Sequence, residues 1–513
     1  MLSPISGIST SILMTTQLTR EPVAKQSSHN DQTMMLVPLR LFLSAWVWWA
    51  AAAGPAVSGS PVFQDWSTGA TIRFDYYHSG DAASEKISVD GYRLEGPWPG
   101  SRTRLVEDLD LGKYRFEVRD GESGLLLYSR GFSSIFGEWE TTGEARGGSW
   151  RTFHESQRFP EPRRSCRLSL LKRTPAGGFE PIFETDLEPR GRWVDRSPLT
   201  RQGEVVSLLE HGDPAVKVDL LILGDGYTAA ERSKFRRDAE RLSGALLETE
   251  PFLSRRRDFN VRLLHLDAQE SGISDPRQGL WRNTPLGLSF NALDMDRYVL
   301  TYRNRELREA AALAPYDVIM ILYNARKYGG GGIFNLWGTC SADTQVADYV
   351  FVHEFGHTFA GLADEYYTSQ VSYEHMTPPG VEPWEPNLTA LLDPASLKWK
   401  DLVTPGTPLP TPWDQAAYDR ATAAYEARRA ELVSRGQDAE VEHLFQEHKQ
   451  ATAELWSREP HAGKVGAFEG AGYEAHGLYR PALDCIMFSR NPTEFCPVCR
   501  RALERMIDHY TRP

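Results

Sequence analysis

The run Asp348-Tyr349-Val350-Phe351-Val352-His353-Glu354-Phe355-Gly356-His357 combines residue types at a spacing that can do chemistry. On a helix, residues at i and i+4 lie on one face, so His353 and His357 can turn an imidazole nitrogen towards one metal ion. Glu354, one residue on, is displaced from that face and can reach a water on the metal rather than the metal itself. Metal-assisted hydrolysis needs this arrangement: a zinc ion acidifies the water and polarises a carbonyl, while a carboxylate takes the proton. Val350, Phe351, Val352, Phe355 and Phe359 make the helix a buried one that carries its histidines inward. A lone core histidine would need neither the glutamate nor the second histidine.

Past the helix, Gly361 can take the left-handed conformation that ends it. Asp364 and Glu365 then each offer a carboxylate as third ligand, an ordinary choice for catalytic zinc. Metzincin-type zinc peptidases share the pattern HExxHxxGxxH, with a methionine-containing turn well downstream. Here the glycine comes one residue later, the interval from glycine to ligand is kept, and aspartate replaces histidine. That spacing favours Asp364 over Glu365 and makes Met487, in the apolar run Leu483–Phe488, the candidate Met-turn residue packing beneath the imidazoles. Metzincins often carry a tyrosine two residues after that methionine; here the position is Ser489. Tyr479 and Arg480 are candidates for holding an oxyanion or a substrate carbonyl, or for a structural role, and Glu469 for capping a glycine-rich turn.

The elements that must position these residues can be read upstream. Val218–Leu223 is a short apolar run of buried-strand type, followed by the turn Gly224-Asp225-Gly226. Thr228 and Glu231 form a capping box that opens a helix predicted to reach Glu248. A strand over Phe259–Leu266, a helix over Leu293–Leu313 and a strand over Tyr316–Tyr323 complete a β-α-β-α-β order, which implies a mainly parallel sheet. Gly329 to Gly332 permit close backbone approach, and Ile333–Trp337 reads either as an edge strand able to pair with an extended substrate or as a flexible loop. Over residues 412–460, Tyr418, Tyr425 and Leu432 recur every seven residues, Gly436 interrupts, and Val441, Leu444, Phe445 and Leu455 mark a second helix, giving an inserted helical hairpin. Residues 60–198 read as an all-β sandwich without a catalytic constellation, suited to support or substrate presentation.

At 513 residues the chain exceeds one compact core. Residues 1–33 are polar and Ser/Thr-rich, a disordered segment or a misassigned start, with Met34 or Met35 the true one. Residues 34–58 read as a signal peptide: the apolar stretch Leu36–Ala53 is followed by small residues, with cleavage expected near 54–60, and an uncleaved anchor is the rival reading. The expected location is therefore exported: periplasmic, cell-surface or extracellular, with no stable membrane association after signal removal. The net charge of −12, from 69 acids against 57 bases without a long basic block, argues against nucleic acid and suits a protein or peptide substrate. No sequence feature specifies an oligomeric state. Of five cysteines, Cys496 and Cys499 form a CxxC with Cys485 nearby. A structural zinc site wants four ligands and a second CxxC is missing, so a disulfide is the expectation.

The sequence resembles the IgA-specific metallopeptidase family, the igalysins, a branch of the metzincin-like zinc peptidases. The resemblance rests on Ile222–Thr228, Tyr328–Ile333, His353 through Tyr366, Val465–Tyr473, Gly477–Pro481 and Cys485 through Cys499, and spans roughly 205–513. It implies a secreted zinc endopeptidase with its cleft between two subdomains. The expected fold is α+β multidomain: an N-terminal all-β sandwich followed by a zincin/metzincin-like α/β catalytic domain over 205–513, with the helical hairpin inserted outside the family core. Zn2+ would be held by His353, His357 and Asp364, with Glu354 as general base. Two other readings are a non-catalytic surface-binding or adhesion protein with a vestigial zinc site, and a zinc amidase acting on cell-wall peptide.

Overall fold

Alternating apolar and polar residues separated by Gly, Asp and Pro turns give eight strands at the N-terminal side of the computed structural model. They are β1 (Ser67–Gly80), β2 (Glu85–Pro97), β3 (Tyr114–Asp120), β4 (Leu126–Phe132), β5 (Arg151–Pro162), β6 (Cys166–Arg173), β7 (Phe179–Leu187) and β8 (Val194–Asp195). They form two four-stranded sheets, ordered β5-β1-β2-β8 and β4-β3-β6-β7. The sheets share one core. The Phe74 ring of the first lies 6.3 Å from Phe116 of the second, which is 5.4 Å from Phe159 back in the first, and all three are fully buried. The structure describes residues 61–199, 203–368, 371–373, 376–435, 437–491 and 494–512. The polar start, the signal stretch and Gly436 lie outside them. Among the described residues no helix is long and apolar enough to cross a membrane.

The larger C-terminal part is built on six strands: β9 (Glu204–Leu209), β10 (Val218–Asp225), β11 (Phe259–His265), β12 (Val318–Tyr323), β13 (Gly330–Ile333) and β14 (Trp337–Ser341), in the order β13-β14-β12-β10-β11-β9. β10 runs parallel to β11 and β12, and β12 parallel to β14, while the edges β9 and β13 are antiparallel. Every residue of β10 is buried, as a strand covered on both faces requires. The capping box of Thr228 and Glu231 is formed, and the helix after it spans Arg232–Leu247. Tyr418 and Trp456, at the base of the helical hairpin Gln415–Ser434 and Asp438–Arg458, pack on Phe488 at ring distances of 5.4 and 6.3 Å.

Two expectations are corrected. The helix expected over Leu293–Leu313 is confined to Asn304–Ala311. Asn291, Leu293 and Asp294 have φ of 66°, 49° and 62°, which a right-handed helix cannot accommodate. The residues before Asn304 instead pair outside the segment: Val299 N donates to Gly330 O at 3.2 Å and Leu300 N to Ser289 O at 3.3 Å, while the buried Asp225 carboxylate holds the loop just upstream through Leu286 N, Leu288 N and the Thr284 hydroxyl. The edge strand is the glycine run itself, β13, whereas Phe334 to Leu336 form the turn into β14. Its outer edge is already paired at Gly330, whose N–H donates to Arg297 O at 3.2 Å and whose carbonyl accepts from Val299 N at 3.2 Å. No free edge is left at Gly330 for a substrate strand.

The two parts are tied at the β13–β14 turn. Asn335 Nδ2 donates to Gly131 O at 2.6 Å, and Ser133 N to Phe334 O at 3.0 Å. All described residues belong to one compact unit.

Candidate metal centre

The motif helix spans Ala347–Ala360, and Gly361, at φ 62°, ends it in the left-handed conformation that glycine takes without a Cβ penalty. Strand β13 lies against this helix, and the glycine run makes that approach possible. A Cβ on Gly332 would stand 2.6 Å from the Glu354 carbonyl oxygen and 2.9 Å from His357 Cβ; one on Gly330 would stand 2.8 Å from Glu354 Oε1.

Three donors converge at the end of this helix. His353 Nε2 and His357 Nε2 lie 3.0 Å apart, and Asp364 Oδ1 lies 3.0 Å from the first and 3.3 Å from the second. The other ring nitrogens are committed: His353 Nδ1 donates to Ile486 O at 3.0 Å, and His357 Nδ1 to Leu362 O. A carbonyl can only accept, so each Nδ1 carries the proton and each Nε2 keeps its lone pair for a cation. Two imidazole nitrogens and one carboxylate oxygen suit zinc, whose catalytic sites keep a fourth position for water or substrate. These residues fit a metal ion.

Without a cation the same groups share a proton that a bound metal would displace from Nε2. Burial opposes ionisation of Asp364, but the His357 imidazole and hydrogen bonds from both histidines outweigh it and hold the carboxyl well below the usual range. Burial would lower the His357 pKa, and Asp364 raises it to about 9. Glu354, on the same helix, has its carboxyl pushed up by burial against the pull of His357 and His353. A carboxyl displaced upward is better matched to taking and returning a proton near neutral pH.

Asp364 and Glu365, adjacent in sequence, point to different places. Glu365 is fully buried away from the histidines; its Oε1 accepts from Asn387 Nδ2 and from Cys499 Sγ, each at 3.0 Å. Met487 is fully buried beneath the helix, its sulfur 3.2 Å from where a Cβ on Gly356 would stand, and its carbonyl accepts from Glu365 N at 2.8 Å. Of the downstream candidates, Arg480 is buried and committed to the carbonyls of Glu469, Gly470 and Leu483. Tyr479 lies in the hairpin strand Glu474–Arg480, bonded through its backbone to Thr389. Glu469 Oε1 accepts from Gly477 N, the capping role expected of it, and Ser489 donates to Asp484.

Sequence reasoning gave no role to Tyr473, whose hydroxyl donates to Asp364 Oδ2. It also gave none to Glu138 of the N-terminal domain, whose Oε2 accepts from Tyr298 OH at 2.5 Å and Tyr373 OH at 2.9 Å. The Tyr373 ring lies 6.0 Å from that of Tyr473, tilted by 48°, so a chain of polar rings links that domain to the centre. Burial raises the Glu138 pKa to about 7, against the two tyrosine hydrogen bonds. Contacts spanning more than a hundred residues leave no local spacing to read.

The family model described as IgA Peptidase M64 matches residues 206–507, and that described as Peptidase M64 N-terminus matches residues 62–184. No curated protein matches the chain.

Proposed function

The chain belongs to the IgA peptidase M64 family of metallopeptidases, which act on peptides or proteins, and from that premise we propose that it is an exported zinc-dependent endopeptidase. The observation that carries this reading is the convergence of His353 Nε2, His357 Nε2 and Asp364 Oδ1 beside Glu354. A zinc ion held by those three donors supplies an acidified water and a Lewis acid for the scissile carbonyl. Glu354 takes the proton of the attacking water and returns it to the leaving amine as the peptide bond breaks. Asp364 balances part of the cation's charge, and Tyr473, donating to its second oxygen, fixes which oxygen faces the histidines. Ile486 O and Leu362 O hold the two imidazoles in the tautomer that leaves Nε2 free. Met487 packs under the helix and keeps its pitch at Gly356. The substrate class is a protein or peptide, as the family implies. Export rests on the apolar Leu36–Ala53 stretch followed by small residues.

The test is cleavage of a peptide library by the purified protein, with and without a chelator, beside Glu354→Gln. Wild type should lose activity to the chelator and regain it with zinc. Glu354→Gln should bind zinc and fall by several orders of magnitude in kcat. Equal cleavage by both proteins would remove Glu354 from the mechanism.

A further inference from the structure

Glu365, Cys485, Cys496 and Cys499 are all buried, and one donor atom from each lies within 4.8 Å of the other three. All five cysteines of the chain are free thiols. The disulfide expected from the CxxC is therefore not formed, and the fourth donor that the sequence seemed to lack is Glu365, 120 residues upstream of Cys485. We propose that these four side chains form a second, structural zinc site, of Cys3Glu type, distinct from the hydrolytic centre.

Geometry and chemistry both support it. Zinc takes four ligands tetrahedrally, with Zn–S about 2.3 Å, which sets the sulfurs about 3.8 Å apart. Donors already within 4.8 Å need only a small contraction. Glu365 Oε2 is fully buried and has no hydrogen-bond partner, whereas Oε1 is held by Asn387 and Cys499. A buried carboxyl oxygen without a partner is costly, and a cation at this position removes that cost. Cys485 Sγ accepts the Cys496 N–H at 3.2 Å, and Cys499 lies in the first turn of the helix Pro497–Thr511. Any disulfide would use two of the three sulfurs and still leave Glu365 Oε2 without a partner.

Binding is a balanced exchange: Zn2+ enters, and the three thiols and the Glu365 carboxyl release their protons to solvent. The site ties the segment carrying Asp364 to the Met487 turn and to the C-terminal helix. It would fix the third ligand of the hydrolytic centre from behind.

The full-length protein, purified without added chelator, should hold two zinc ions per chain, and His353→Ala/His357→Ala should retain one. Titration with a mercurial thiol reagent should release that retained zinc. Cobalt exchanged into the double variant should show thiolate-to-cobalt charge-transfer absorption. Cys499→Ser should lose one zinc, and should Cys499→Ser fail to fold, the mercurial and cobalt readouts still decide. A wild type lighter by two hydrogens before reduction, with its only zinc lost in the double variant, would mean a disulfide and would overturn the proposal. One zinc that the mercurial releases and the histidine substitutions leave in place would sink the hydrolytic reading and leave this one standing.

Discussion

Tyr473 and Asp364 meet through a single hydrogen bond across 109 residues, and that bond decides which carboxylate oxygen the histidines see. Losing such a supporting partner typically costs a metal site 10- to 100-fold in affinity or activity. Tyr473→Phe is accordingly expected to weaken zinc binding at the hydrolytic centre by about that factor, read by competition with a chromogenic chelator, while melting stays near wild type. The two neighbouring carboxylates should separate by substitution. Asp364→Ala should remove the zinc released by chelator and the activity with it, whereas Glu365→Gln should weaken the zinc released by thiol reagents. If Glu365→Gln instead empties the hydrolytic centre directly, with the thiol-held zinc intact, the assignment of the third ligand is reversed.

At the scale of elements, the glycine run and the motif helix are one unit. β13 can rest on the helix only because Gly330 and Gly332 lack a Cβ. Gly332→Ala would press a methyl into the Glu354 carbonyl, which is backbone and cannot swing aside. Overpacking of this kind costs about 1–3 kcal/mol. The expected result is a lowered Tm together with a kcat loss, because the strain falls on the turn that carries Glu354 and His357. Gly91→Ala, in strand β2, where nothing lies within 4 Å and the backbone is not left-handed, makes a control for glycine replacement as such. An unchanged Tm in Gly332→Ala would show that strand and helix part more easily than this packing implies.

Across the whole molecule, the N-terminal domain braces the sheet edge through Gly131 and Ser133 and carries its own buried charge cluster. His78 lies 2.8 Å from Glu85 and 3.2 Å from Glu155, stacked 3.8 Å from Phe136. Burial would lower its pKa, but the two carboxylates outweigh burial and raise it to about 9. The unfolded imidazole titrates near 6.5, so the folded state binds this proton more tightly. The stabilisation is complete below about pH 6.5, declines as the pH rises, and is gone above about 9. His78→Gln should therefore destabilise strongly at pH 6 and much less at pH 10, with a difference on the order of 3 kcal/mol by denaturant unfolding. An equal penalty at both pH values would mean that His78 acts only through packing.

The local chemistry was legible in the sequence alone. The i, i+4 histidines with their glutamate, the Gly361 helix end, the Thr228–Glu231 capping box and the apolar run of β10 all follow from periodicities of a few residues. The helix over Leu293–Leu313 failed at its start because Val299 and Leu300 donate to Gly330 O and Ser289 O outside the segment, which overrides local propensity. Only the tertiary structure decided that Asp364 faces the histidines while its neighbour Glu365 turns to three cysteines. Two adjacent carboxylates are chemically alike in sequence, and what separates them is the company each keeps. Tyr473 and the histidines lie to one side; Asn387, Cys485, Cys496 and Cys499 lie to the other. Those partners are brought together by the folding of distant segments, which no local spacing encodes.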